Sequence, residues 1–201
     1  MPRAGTYSTD PAAWPKEPTE EELWARNLAV GVGVSAGFGA CEDYHYDSGG
    51  QGEGASWLSP IRLRASWLAA TWLAVELETG YSHAQMGVFA AMLDTSLGVR
   101  FGRMRVPGER FSIRLFLGYD VAQVRAYDWH VQESFWAKAS GLRTGLSLGF
   151  RLLAERHSTL TASLGAEVGN IGSYESLTRD SFGSAVWAAG VLGLAWDWWL
   201  L

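Results

Sequence analysis

One pattern constrains this chain more than any other. In eight segments large apolar residues hold every second position, and the positions between them hold glycine, small polar residues or charges. A two-residue period puts alternate side chains on opposite faces of a strand. In the first segment Leu28, Val30, Val32, Val34, Ala36, Phe38 and Ala40 alternate with Ala29, Gly31, Gly33, Ser35, Gly37 and Gly39. Glycine weakens a strand interior because it has no side chain to pack, so its repetition on one face marks a face where space is short. The period returns at Ile61–Leu68, Leu73–Tyr81, Leu93–Gly102, Phe111–Val121, Leu142–Leu152, Leu160–Gly169 and Val186–Leu200. The chain is expected to be all-β, with eight antiparallel strands.

The two faces differ in kind. A soluble barrel turns its apolar face inward and its polar face to water. Here the polar face consists of glycine, serine, threonine and charges, a poor hydrophobic core, whereas the other face is leucine, valine, phenylalanine and tryptophan throughout. The arrangement that fits is inverted, with the apolar face toward lipid. Lipid offers the backbone no hydrogen-bond partners, so the sheet must close on itself, and about eight strands leave a lumen filled by side chains. The expected fold is an eight-stranded antiparallel up-and-down transmembrane β-barrel over residues 27–201. A polar extension, residues 1–26, precedes it, in which Thr19 and Glu22 have capping-box spacing and predict a short helix over Pro15–Arg26. No uninterrupted apolar run is long enough for a transmembrane helix. The nearest, Ser184–Leu201, carries Asp197 and leaves a C-terminal helix as a minor alternative to the last strand.

Residues 41–59, 123–134 and 170–181 are polar and read as long loops, whereas "AAT", "RVPGE" and "AERHS" read as short turns. The long connections thus gather at one end, the asymmetry of barrels with short periplasmic turns and longer external loops. In the hairpin around "AAT" a constant index sum of 140 would oppose Arg64 to Glu76 and Arg62 to Glu78, giving a ladder of opposite charges. The full inward set would be Arg62, Arg64, Arg100, Arg114, Arg143 and Arg151 against Glu76, Glu78, Asp94, Asp120, Glu167 and Asp197. Buried charges need partners, and a matched set supplies them. Two aromatic girdles complete the expectation: Phe101, Phe111, Phe150, Trp196 and Trp198 at the short-turn end, and Phe38, Trp57, Tyr81, Phe89, Tyr119, Trp136 and Trp187 at the other.

Composition narrows the function. With 24 Gly, 11 Trp, a net charge of −5 and lysine only at 16 and 138, the chain lacks the basic, aromatic-interleaved surface of a nucleic-acid binder. Cys41 is the sole cysteine, so neither an internal disulfide nor a cysteine-based zinc site can form.

The strand pattern, the loop asymmetry and the last strand "LGLAWDW" resemble the small eight-stranded outer-membrane barrels of Gram-negative bacteria, the class of the OmpA transmembrane domain, OmpX and Ail. Leu192, Gly193, Trp196 and Trp198 follow the spacing of that class's assembly signal, with Leu201 where the class ends in phenylalanine. The resemblance implies a location in the bacterial outer membrane among membrane lipid and lipopolysaccharide. Export to that site needs a signal, and no apolar stretch follows Met1, Pro2 and Arg3, so the signal is expected to have been removed.

Some barrels of this size are lipid-modifying enzymes with catalytic groups at the external mouth. Residues of the right types are His45, Asp47 and Ser48, then Ser82 and His83, then Asp128, His130 and Ser134. Spacing alone does not join a nucleophile to its base, and no catalytic set is assigned. Glu42, Asp43, His45 and Asp47 are of metal-ligating type but lack calcium-loop spacing, and a solvated acidic loop is the simpler reading. No metal or cofactor is expected. The function expected is a non-enzymatic membrane barrel whose external loops bind a protein partner or surface ligand through Tyr44, Tyr46, Tyr127, Trp129 and Tyr174, side chains of the type enriched at interfaces. The alternatives are a lipid-modifying enzyme with a His/Ser/Asp site at the mouth and a passive transporter of a small hydrophobic molecule, which would need an open lumen or a lateral gap.

Overall fold

The computed structural model describes residues 27–45, 49–86, 88–103, 109–128, 132–155, 157–175 and 182–200. The polar extension and its predicted helix lie outside the described residues. Eight strands follow one another: β1 (Leu28–His45), β2 (Gly49–Ala70), β3 (Leu73–Met86), β4 (Val88–Phe101), β5 (Phe111–Asp128), β6 (Glu133–Ala154), β7 (Ser158–Glu175) and β8 (Phe182–Trp199). Each pairs antiparallel with the next and β8 returns to β1, so the sheet closes without an edge. The C-terminal segment is strand, not helix, because its two-residue period places Asp197 inside and Trp196 and Trp198 outside.

The barrel is inverted as expected. Leu97 is 61% exposed and Leu164 59%, while Glu76 and Asp94 on the other face are 0% and 1% exposed. A soluble monomer rarely shows a contiguous apolar patch above a few hundred Å², and here the outward face is apolar all the way round. On β5 the outward set runs from Phe111 through Ile113, Leu115, Leu117 and Tyr119 to Val121. Ten residues at about 3.3 Å each, tilted by about 40°, span about 25 Å along the barrel axis, the height of the apolar band of a membrane barrel.

Three expectations require correction. First, the long polar stretches are strand over much of their described length. β1 and β2 continue in register to His45 and Gly49, and β5 and β6 to Asp128 and Glu133. The stretch 170–181 also reads as a loop in the sequence, yet β7 runs to Glu175 and β8 starts at Phe182. Strands that rise above the bilayer stand in water and need no apolar face, so their polar and glycine-rich sequence hides them. The asymmetry between the two ends is therefore one of strand overhang rather than of loop length.

Second, the β2–β3 hairpin turns on Thr71 and Trp72, and the register slips between Leu68 and Ala70. Arg64 is opposed to Glu78, Arg62 to Gly80 and Ser66 to Glu76. The shift of two residues preserves every face but changes every partner.

Third, Trp57 and Trp187 are not girdle residues. Both point inward, 5% and 3% exposed. A register shift between Leu58 and Ile61, around Pro60, reverses the phase of β2 above it; proline has no N–H for a ladder and settles at such bulges. The other aromatics named for the girdles whose side chains are described sit at the outer surface: Phe38, Tyr81, Tyr119 and Trp136 at the overhanging end and Phe101, Phe111, Trp196 and Trp198 at the other are exposed, and Phe150 is half-buried. The Phe89 side chain lies outside the described residues.

The inward tryptophans account for one glycine of β1 and one of β7, whereas Gly31, Gly33 and Gly39 stand close to β8. Gly37 lies directly opposite Trp57 and Gly169 directly opposite Trp187. A Cβ on Gly169 would stand 2.6 Å from the Trp187 ring, and one on Gly37 would run into the Trp57 indole.

Candidate functional site

Among the described residues the lumen gathers the charged chemistry, and it is built in three layers. Nearest the overhanging end the Trp57 and Trp187 rings meet edge to face, with centroids 4.7 Å apart and planes inclined at 62°. Alanines 55, 84, 90, 122 and 185 surround them, together with Met92, Val124 and Ile171, all buried. Small residues on the wall make room for two large rings at the centre. At the opposite end Trp199 closes the barrel over Ala29, Leu68 and Ala74.

Between these apolar layers lie the charges. Arg100 and Arg114 are directly opposed across β4 and β5, as are Asp94 and Asp120. Like charges in directly opposed positions are destabilising, and in both cases a side chain from another strand bridges them. Glu76 of β3 reaches Arg100 at 2.9 Å with one oxygen and Arg114 at 2.9 Å with the other. Arg143 of β6 bridges Asp94 and Asp120, the latter at 3.1 Å, and also reaches Glu167 at 3.3 Å. Arg62 pairs with Asp94 at 2.7 Å and Glu78 at 3.3 Å. The expected Arg62–Glu78 pair thus exists, but diagonally rather than across a rung.

Arg64 donates through Nη2 to both carboxylate oxygens of Asp197, at 2.7 and 2.6 Å, which ties β2 to β8. Ser66 donates to Glu76 at 3.1 Å and Ser82 to Asp94 at 3.0 Å. Phe116 lies beneath two guanidiniums, 4.7 Å from Arg114 and 5.4 Å from Arg143, in cation–π geometry. Arg151, the remaining inward arginine, sits apart at the short-turn mouth and donates to the backbone carbonyl of Glu109.

The charges crowd the wall formed by β2–β5. The facing wall carries Ser35, Ser147, Gly165 and Ser163, and between the two lies a cavity of about 60 Å³. Each water needs at least about 10–15 Å³ of such space, so this cavity has room for a few waters.

The three described residues considered for catalysis, Ser82, His83 and Ser134, do not assemble. Ser82 is buried against Asp94, while His83, one residue on, is on the outer face with its ring edge-on to Tyr81 at 4.9 Å. Ser134 is exposed. The side chains of His45, Asp47, Ser48, Asp128 and His130 lie outside the described residues, as do those of Tyr44, Tyr46, Tyr127, Trp129 and Tyr174. Glu42 is exposed, and the Asp43 side chain is outside the description. Among the described residues no three His, Cys, Asp or Glu side chains are placed to hold a metal ion.

Sequence reasoning overlooked Phe116, Trp199 and the inward tryptophans. For Trp187 the signal was present: Val186, Ala188, Leu192 and Leu194 define the outer face of β8, and an odd-numbered residue belongs to the other.

No family model matches the chain, and no curated protein matches it. Solved structures do resemble it. Outer membrane protein AlkL, determined in lipid bilayers, aligns over 87% of this chain and 90% of its own with a TM-score of 0.54 and 10% identity. OprG of Pseudomonas aeruginosa aligns over 86% and 95% at 12% identity with a TM-score of 0.49. Ail of Yersinia pestis aligns over 85% and 99% at 13% identity with a TM-score of 0.39. The chain has the fold of the eight-stranded outer-membrane β-barrels.

Proposed function

We propose that this protein is an integral barrel of the bacterial outer membrane, without catalytic activity, whose lumen is closed to solutes and whose overhanging strands and loops engage a partner or surface ligand. The observation that carries this reading is the filling of the lumen at two successive levels. Ion pairs between neighbouring strands and strands one apart crowd its middle and leave a cavity of about 60 Å³, and the paired Trp57 and Trp187 rings occupy the level above. A transporter of small hydrophobic molecules would need that upper apolar layer as an entry chamber, and here the two indoles fill it. The overhang supplies the binding platform, with Tyr44, Tyr46, Tyr127, Trp129 and Tyr174 as the proposed contact residues. Conductance tests the closed lumen: pure protein refolded into planar bilayers should give no stable channels. Reproducible porin-like openings from the pure protein would overturn the proposal.

A further inference from the structure

The outward face of β3–β6 changes character abruptly above the apolar band. Register alignment places its residues in rows that run across all four strands. Tyr81, Leu93, Val121 and Ser140 form one row, followed upward by His83, Ala91, Gln123 and Lys138, and then by Gln85, Phe89, Arg125 and Trp136. His83, Gln85, Gln123, Arg125 and Lys138 are exposed. No aspartate or glutamate occupies any position of these rows. On the other half of the barrel the described outward residue Glu42 lies in a row with Asn170, Val186 and Gly52, which has a carboxylate and no cation. Among the described residues the outer surface just above the lipid band is therefore basic on the β3–β6 side.

We propose that this face binds the phosphate groups of an anionic glycolipid in the external leaflet, with Arg125 and Lys138 as the charged donors. The inference rests on the membrane-spanning reading above and adds to it a ligand class and a site. Height supports it, because Gln123 and Arg125 follow Val121, the last outward apolar residue of a band about 25 Å tall, and so stand at headgroup level. Spacing supports it too. Arg125 and Lys138 are diagonal neighbours, about 7–8 Å apart at Cα, close enough for a forked guanidinium and a lysine ammonium to share one phosphate or hold two. Directly below, Leu93, Val121 and Tyr119 offer the apolar surface that acyl chains of the same molecule would cover. Cations above and apolar side chains beneath match an amphiphile held upright in the leaflet.

The test uses the full chain refolded in detergent micelles, with heat-modifiable gel mobility as the check that each protein is folded. The probes are bis-phosphorylated lipid A, its dephosphorylated form and inorganic phosphate, scored by native mass spectrometry as ligand retained per barrel. The wild type should retain the phosphorylated lipid in preference to the dephosphorylated one and should not retain inorganic phosphate. The folded R125Q/K138Q variant should lose about thirtyfold in affinity, the effect of two cations at an anionic surface. Glu42→Gln, on the opposite side, should change nothing. Equal retention of both lipids, or unchanged retention by R125Q/K138Q, would overturn the site, as would capture of phosphate without lipid. Failure of the barrel to fold in any amphiphile would instead remove the membrane reading beneath it, and channel activity would count against the closed lumen alone.

Discussion

Substitution of Glu76 by glutamine strikes the lumen where its electrostatics are most concentrated. Glu76 is fully buried and is the bridge between Arg100 and Arg114, which face each other across β4 and β5. At an effective dielectric constant of about 20, two unit charges about 4 Å apart interact by about 4 kcal/mol, so two such attractions amount to about 8 kcal/mol before desolvation. Desolvation of the carboxylate offsets much of this, and removal of one member of a buried pair typically costs about 3–5 kcal/mol. The lower half of that range is expected here, because the adjoining cavity, lined by Arg100 and Arg114, can hydrate the stranded guanidiniums. Glutamine keeps the shape and the acceptor for Ser66, so the loss reports charge rather than volume. The measurement is urea unfolding in phospholipid vesicles. A second substitution, Arg100→Gln, should recover part of the loss, and the coupling from the double-mutant cycle isolates the pair. Unchanged stability in Glu76→Gln would refute the reasoning, since it would mean that water already screens the lumen charges.

Two further substitutions probe the outer face and the glycine wall. Leu148, outward and opposed to Leu164, should tolerate arginine at a cost of about 2–4 kcal/mol if it lies near the bilayer midplane, as measured by vesicle unfolding. Gly37→Ala drives a methyl group into the Trp57 indole and should destabilise the barrel by about 1–3 kcal/mol, with Trp57→Ala restoring part of the loss when the two are combined; additivity of the two would place the indole elsewhere.

How much of this was legible in the sequence depended on which physical constraint each residue obeys. Within the bilayer the constraint is strict, because a one-residue error of phase would turn an arginine to lipid. Arg114 and Leu115, Arg143 and Leu142, and Asp197 and Trp196 accordingly read correctly by position alone. Above the bilayer the constraint relaxes. The stretches 41–59 and 123–134 lack a regular outward apolar face and passed for loops, although backbone pairing carries the strands through much of them. Pairing partners were the least legible feature, since they depend on where a hairpin turns. Moving the turn to Thr71–Trp72 reassigned Glu76 from Arg64 to Arg100 and Arg114. The bulge beside Pro60 likewise sent Trp57 inward against the phase of Ile61 and Leu63.

The inverted barrel is the claim on which everything else stands, and consecutive residues of β6 test it most directly. Single nitroxide labels at Leu146, Ser147 and Leu148, each in the full chain refolded into vesicles, can be scored for collision with oxygen, which concentrates in lipid, and with a water-soluble nickel chelate. Labels at Leu146 and Leu148 should collide with oxygen and be shielded from nickel, and the label at Ser147 should be shielded from both within the packed lumen. The opposite phase, with Ser147 in lipid and the two leucines shielded, would contradict the account, as would equal access of the nickel reagent to all three.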